Sequence, residues 1–456
     1  MNASSIINRK FLLLIECSEN LKKSRTLPLM MIALPIAVYF VYIVVYGVNI
    51  VLGDEIELVP LIKQYFLGKF PVALVWAQHN ENRMVVPNLF FLSLAKTTHL
   101  NMKIAMYVSG CLIVLSYIFF VLIYSRRFSK NHWEVVLPAY LMFNLIQYEN
   151  TLWGFQVAWY MILACLFGML FFLDQTGRSN EFFLSAALLA FVASFSSFQG
   201  LFLWPAGLVY IFLSDFKQGQ KMLWIIFMVI SIIGYFFQFN FHKTGGPPVL
   251  EFLSHPMVSI EYFFVSMGAT LHFGGIVFDV YAGLFLFSLM VSVVLYIIRT
   301  NGVDRALLFP LSLLMYVILF DISLTVGRSG FGLAQASSSR YMTYDLLFLI
   351  SIYLLFVKLA KGALQRKKIV HSALGILIGF LIVQVAVSYQ DGIAAGQEEY
   401  RSKIVASDVF MHYKKRSDKL IEQYIYPDAQ ILRRRATVLQ QYHLSIFHYV
   451  FAHQQF

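Results

Sequence analysis

The chain of 456 residues is 59% hydrophobic, 17% aromatic and only 13% charged, against about 25% charged residues in a typical soluble domain. No soluble core absorbs that much apolar surface, so a soluble multidomain protein, a disordered chain and a disulfide-rich secreted scaffold are excluded. The formal net charge of +11 must first be divided between two membrane faces, and it implies no nucleic-acid partner.

The first residues do not resemble a cleavable signal. The short apolar run Phe11 to Ile15 is followed by Glu16, Glu19, Lys22, Lys23 and Arg25 rather than by a small-residue cleavage site. Residues 1–27 read as a cytoplasmic amphipathic lead-in. Windows apolar enough to cross ~30 Å of hydrocarbon follow at 28–52, 104–124, 135–148, 155–173, 182–198, 201–213, 222–240, 277–298, 306–325, 342–358 and 369–388. The expected fold is an all-α polytopic membrane protein with about 11 transmembrane helices over 28–388 and a basic soluble tail over 389–456. The windows at 135–148 and 201–213 are short, and each adjoins a neighbour across a polar break, Glu149–Asn150 and Gln199–Gly200. Such breaks are tolerated at depth where protein or water covers the backbone, so they hint at a cavity. Cys17, Cys111 and Cys165 are too widely spaced for a disulfide framework or a metal motif.

Basic residues set the expected orientation. Arg126, Arg127, Lys130, Lys217, Lys221, Arg299, Arg305, Lys358, Lys361 and Arg366 to Lys368 fall in short loops on the side of the N-terminus. The short loops of the other side hold Lys243, Arg328 and Arg340. The N-terminus is therefore expected in the cytoplasm and the tail outside. The loop 53–103, the segment 240–276, the loop 326–341 and the tail then make one polar mass on the outer face.

The first span closes in Gly53-Asp54-Glu55-Ile56-Glu57. Carboxylates cost several kcal/mol inside a bilayer, so these belong at the interface. One held there is placed to deprotonate a hydroxyl or to help hold a divalent cation; the alternative is an ordinary acidic interface cluster. The same loop carries Trp76-Ala-Gln-His79-Asn80-Glu81-Asn82-Arg83-Met-Val-Val-Pro87. Imidazole, carboxamide, carboxylate and guanidinium groups are those that bind sugar hydroxyls and phosphate oxygens. A solvated turn with a Glu81–Arg83 pair is the alternative.

With an acidic Gly-Asp-Glu closing the first span, an outer amphipathic helix and the Trp…His-Asn-Glu-Asn-Arg…Pro segment, the chain resembles the class C (GT-C) glycosyltransferases. Within them it is similar to bacterial serotype-converting O-antigen glucosyltransferases of the inner membrane. The resemblance implies a GT-C-like membrane domain, a catalytic base at Asp54 with Glu55 as the alternative, and a sugar donor carried on a polyprenyl phosphate. It further implies a lipid-linked glycan acceptor, an outer (periplasmic) active site, membrane-lipid surroundings and partner proteins that make and flip the donor.

Later in the chain, Gly327-Arg328-Ser-Gly330-Phe-Gly332-Leu-Ala-Gln335-Ala-Ser-Ser-Ser339-Arg340-Tyr341 combines two arginines with small and hydroxyl residues. Arginine forks match phosphate, so Arg340 and Arg328 are assigned to the donor phosphate, with Lys243 as a further contact; a snorkelling Arg340 is the competing reading. The breaks containing Glu149, Gln156 and Gln199, each beside a Trp, suit sugar binding, though Trp and Tyr also populate any membrane interface. Glu149 in particular needs a partner. No residue set has metal-ligand spacing; a Mg²⁺ shared by Asp54, Glu55 or Glu57 and the donor phosphate stays open. The reading that results is an inverting glycosyltransferase moving a hexose, glucose by resemblance, to a surface glycan such as O-antigen. A glycan polymerase or ligase and a lipid-linked glycan transporter are the alternatives; the near-absence of charges in the predicted spans, with Asp321 the clearest exception, speaks against transport.

Overall fold

The computed structural model describes residues 26–176, 179–241, 252–271, 274–300, 302–362 and 367–448. Most of the lead-in, together with Lys243, lies outside the described residues. Among those described, eight helices are long and apolar enough to cross a membrane, and two shorter apolar helices join them. The chain is thus an all-α polytopic membrane protein.

Helix α1 (Thr26–Tyr46) leads to the first long loop, which holds a two-turn 3₁₀ helix (Gly53–Leu58), α2 (Val59–Phe66), α3 (Val72–Trp76), a two-strand hairpin (β1 Gln78–His79, β2 Asn82–Arg83) and α4 (Val85–Thr98). The chain returns through α5 (Met102–Arg127), whose first turn is capped by Asn101 accepting the Lys103 N–H at 3.0 Å. The window at 135–148 forms the short α6 (Val136–Met142) and, beyond a 3₁₀ turn, α7 (Tyr148–Leu152). Then come α8 (Val157–Gln175), α9 (Asn180–Ser194), α10 (Leu203–Leu213), α11 (Gln218–Phe236), α12 (Pro256–Ala269), α13 (Ile276–Thr300), α14 (Arg305–Arg328) and α15 (Met342–Gly362).

Burial sorts these helices. Both α8 and α15 are apolar all round and mostly buried, so they form the centre of the bundle. By contrast α11 turns Met222, Ile226, Ile230 and Ile233 outward, as a helix facing lipid does. Helices α12 and α13 approach so closely that a Cβ on Gly268 would fall 1.8 Å from the Asp279 carbonyl oxygen, and one on Gly283 1.9 Å from that of Phe264. Small residues at such a crossing let membrane helices pack by direct contact. This crossing fixes α12 against α13. Asp321 of α14 is fully buried, takes a hydrogen bond from Ser266 Oγ at 2.8 Å, and lies against a second buried carboxyl, Asp345 of α15, whose burial the hydropathy pattern hides.

The last helix, α16 (Lys367–Met411), spans 45 residues, or about 67 Å at 1.5 Å per residue. It outruns the membrane and passes residue 389 without a break. Beyond it, α17 (Asp418–Tyr424) and α18 (Ala429–Gln441) fold back over the first loop. Val59, Leu61 and Ile62 of α2 join Leu432, Ala436 and Leu439 of α18 in a second hydrophobic core, separate from that of the bundle. The tail therefore covers the apolar face of α2 over Val59, Leu61 and Ile62, while Leu67 at its end stays exposed.

Candidate functional site

Gly53 has φ +55°, a conformation glycine takes without steric cost, and its N–H donates to the Ile425 carbonyl at 2.9 Å. The turn that follows sends three carboxylates in three directions. Glu55 points inward, fully buried, and accepts the N–H groups of Leu52 at 2.9 Å and Phe155 at 3.0 Å, tying the loop to the foot of α8. Burial pushes its carboxyl up to about 8 against the pull of those two N–H groups and of Lys403. Glu57 accepts from Arg435 and Tyr426 of the tail. Burial raises its carboxyl, and these two partners outweigh that and hold it below the usual range.

Asp54 is the most open of the three, its side chain 47% exposed against 33% for Glu57, with Oδ2 3.8 Å from His79 Nε2. The imidazole is the largest influence on its carboxyl; against partial burial, it and the charges of Arg340 and Arg328 hold Asp54 below the ordinary carboxylate range. Asp54, Glu57, Gln78, His79 and Asn80 line a cavity of about 520 Å³ whose far wall is Tyr426, Pro427 and Asp428 of the tail. Those three the sequence reading missed; the only local signal is an aromatic-Pro-Asp turn, with Asp428 capping α18 through the Ile431 N–H at 2.8 Å.

The hairpin that carries His79 is itself clamped. Arg83, 2% exposed, donates to the carbonyls of Tyr235 (2.7 Å), Phe237 (2.6 Å) and Trp76 (2.7 Å), and its guanidinium lies 4.8 Å from the centre of the Trp76 ring. The Tyr235 and Phe237 carbonyls end α11, where a cation is favoured by the helix dipole. Asn82 Oδ1 accepts the Phe198 N–H at 3.0 Å and lies 2.7 Å from Ser197 Oγ, whose single proton it shares with Gln199 Oε1 at 2.6 Å. Asn82 thus holds the hairpin to the break that contains Gln199, before α10, and Arg83 with Trp76 holds it to the end of α11. Gln156 is buried at the foot of α8.

Both loop arginines have carboxylate partners. Arg328 pairs with Glu81 at the tip of the hairpin. Arg340 donates its backbone N–H (3.0 Å) and Nε (3.2 Å) to Glu149, which also receives Ser338 Oγ at 2.9 Å. Asn150 donates to the Arg340 carbonyl at 2.6 Å and to Thr343 at 2.8 Å. The break at 149–150 and the turn at 338–340 are therefore one assembly, and the partner that Glu149 requires is Arg340. Asp54, His79, Glu81, Arg328, Glu149 and Arg340 converge on one end of the bundle. Each guanidinium is more than one-third exposed, leaving donors for a ligand.

Of the first-loop carboxylates, Glu55 is turned inward, while Glu57, held by Arg435 and Tyr426, lines the same cavity as Asp54. Among the described residues no group of three or more His, Cys, Asp or Glu side chains is placed to hold a metal by itself.

Fold and site together define a multi-pass membrane protein with an ionised carboxylate and two arginines gathered where its spans end. No family model and no curated protein sequence matches the chain. Among solved structures it is similar to the crystal structure of ArnT from Cupriavidus metallidurans bound to undecaprenyl phosphate, at 13% identity and a TM-score of 0.43, with 91% of this chain and 88% of that one covered. A likeness at that level assigns neither family nor substrate, and the functional reading rests on the residues.

Proposed function

We propose that the protein is a GT-C-type glycosyltransferase that uses a polyprenyl-phosphate-linked sugar in the bacterial inner membrane, with its site on the periplasmic face. The observation that carries this reading is an ionised, half-exposed Asp54 in the field of Arg328 and Arg340 at the end of the bundle. A base beside two guanidiniums at a membrane surface suits a donor whose leaving group is a lipid phosphate. Asp54 accepts the proton of an acceptor hydroxyl as the oxygen attacks the anomeric carbon. The bond from that carbon to the phosphate oxygen breaks, and the charge gathering on the leaving polyprenyl phosphate is met by Arg340 and Arg328. Displacement from the opposite face inverts the anomeric configuration.

The acceptor enters from the cavity between hairpin and tail, where His79 and Asn80 lie. Glu149 and Glu81 serve the arginines, and Arg83 and Trp76 hold the hairpin. The resemblance supports a hexose, glucose in particular, and a lipid-linked glycan such as O-antigen as acceptor. No step is routed through a metal.

The test follows release of polyprenyl phosphate from a polyprenyl-phosphate hexose by purified protein in nanodiscs, with Asp54→Asn beside the wild type. Release lost in the variant supports both the donor class and the base. Release that survives the substitution removes Asp54 as base. No release from any lipid-linked sugar, with a crude glycan acceptor present, overturns the reading in favour of a polymerase or transporter.

A further inference from the structure

A second polar cavity lies at the opposite end of the bundle. Phe155, which holds Glu55, sits just before α8, and Asp174 lies nineteen residues further along, about 28 Å away at 1.5 Å per residue. There Asp174 is buried between Arg127 Nε at 2.6 Å and Arg126 Nε at 3.5 Å, which offset its charge, while its Oδ2 accepts no hydrogen bond among the described residues. Beside this triad is a cavity of about 350 Å³ lined by Arg127, Ser179, Tyr210, Ser214, Lys217 and Arg305 among others.

Three independent features point to an anionic ligand. The cavity is rich in cations: Arg127, Lys217 and Arg305 line it, while its second carboxylate, Asp215, is 98% exposed and 3.6 Å from Arg305. Two helices begin at it, α9 after Ser179, whose side chain takes no first-turn N–H, and α11 after Lys217, where the Gln220 carboxamide accepts the Lys217 N–H at 3.1 Å, so the positive dipole ends of both lie beside the space. Tyr210 is 2% exposed, yet its hydroxyl has no hydrogen-bond partner among the described residues although it lines the cavity. A buried hydroxyl without a partner is costly, and a ligand oxygen would satisfy it.

The surroundings identify the carrier. Phe212 (53% exposed), Leu213 (52%) and Met222 (61%) stand beside the cavity as lipid-facing surface, and the Lys221 ammonium lies 5.7 Å from the centre of the Phe212 ring. We propose that this cavity binds the phosphate of an anionic phospholipid in the leaflet opposite the Asp54 site, with the acyl chains along Phe212, Leu213 and Met222. The proposal is independent of the reaction assigned to Asp54.

The experiment uses the full chain, relipidated with mixed phosphatidylglycerol and phosphatidylcholine, and counts retained lipids by native mass spectrometry. Wild type is compared with Lys217→Gln/Arg305→Gln, with Tyr210→Phe, which removes one oxygen without changing charge, and with Arg434→Gln on the other face as control. Wild type and the control should retain phosphatidylglycerol selectively. The double variant should lose roughly tenfold of that preference, and Tyr210→Phe a smaller part. If inorganic phosphate instead stabilises wild type against heat, does not stabilise the double variant, and no lipid is retained selectively, the phosphate site stands but its lipid source is overturned. If lipid retention and phosphate response are the same in wild type and variants, the site itself is overturned.

Discussion

Glu149 and Arg340 are joined twice, through the arginine's backbone N–H at 3.0 Å and its Nε at 3.2 Å. This contact fixes the turn at 338–340 as well as the side chain, and it leaves the rest of the guanidinium for a ligand. Glu149→Gln should therefore raise KM for the lipid-phosphate donor by about five- to tenfold, the size of one weakened charge-assisted hydrogen bond. In a double-mutant cycle the loss should largely vanish once Arg340 is already Gln. Full additivity would mean that Glu149 acts on the sugar rather than through Arg340.

Asp54 and Glu55 are adjacent and should respond in opposite ways. Asp54→Asn should lower kcat by roughly 10²- to 10⁴-fold with unchanged thermal stability, because its side chain is half exposed. Glu55→Ala strands two buried N–H groups and should cost about 1–3 kcal/mol of stability for each. Thermal melts and turnover measured on the same preparations separate the two.

His79 lowers the Asp54 carboxyl more than any other neighbour. A depressed carboxyl stays ionised to lower pH, so the acidic limb of kcat/KM should lie below the range of an ordinary carboxylate. In His79→Gln that limb should move to higher pH. An unmoved limb, with activity merely reduced, would assign His79 to ligand binding alone.

Glu57 ties the tail to the first loop through Arg435 and Tyr426. Its carboxyl is lower in the folded protein than in the unfolded chain, so the stability it contributes is present above the unfolded value and is lost as pH falls through the folded one. Protection factors against hydrogen exchange over residues 418–441, corrected for the intrinsic slowing of exchange in acid, should fall on acidification. Arg435→Gln should raise exchange at neutral pH and flatten that dependence.

The spans were legible because lipid imposes its demand locally: every stretch that crosses must be apolar over its own length. The two polar breaks and the acidic end of α1 could be located for the same reason, since a carboxylate or carboxamide interrupting apolar sequence is conspicuous. The burial of Asp345 was not visible, because it stands at the edge of its window, where a carboxyl reads as interfacial, and only the packing of α14 on α15 encloses it beside Asp321. Partners lay further out of reach. Glu149 meets Arg340 and Glu81 meets Arg328 across 191 and 247 residues, and Tyr426 reaches Glu57 across 369.

By itself, then, the sequence determined that this chain lives in a membrane, where it crosses, and which short segments carry its polar chemistry. Only the tertiary structure decided which of three neighbouring carboxylates stands open, which arginine answers which glutamate, and that the tail walls the cavity over Asp54. Hydropathy is a property of each segment alone. The direction of a side chain and the identity of its partner are set by the packing of helices far apart in the chain.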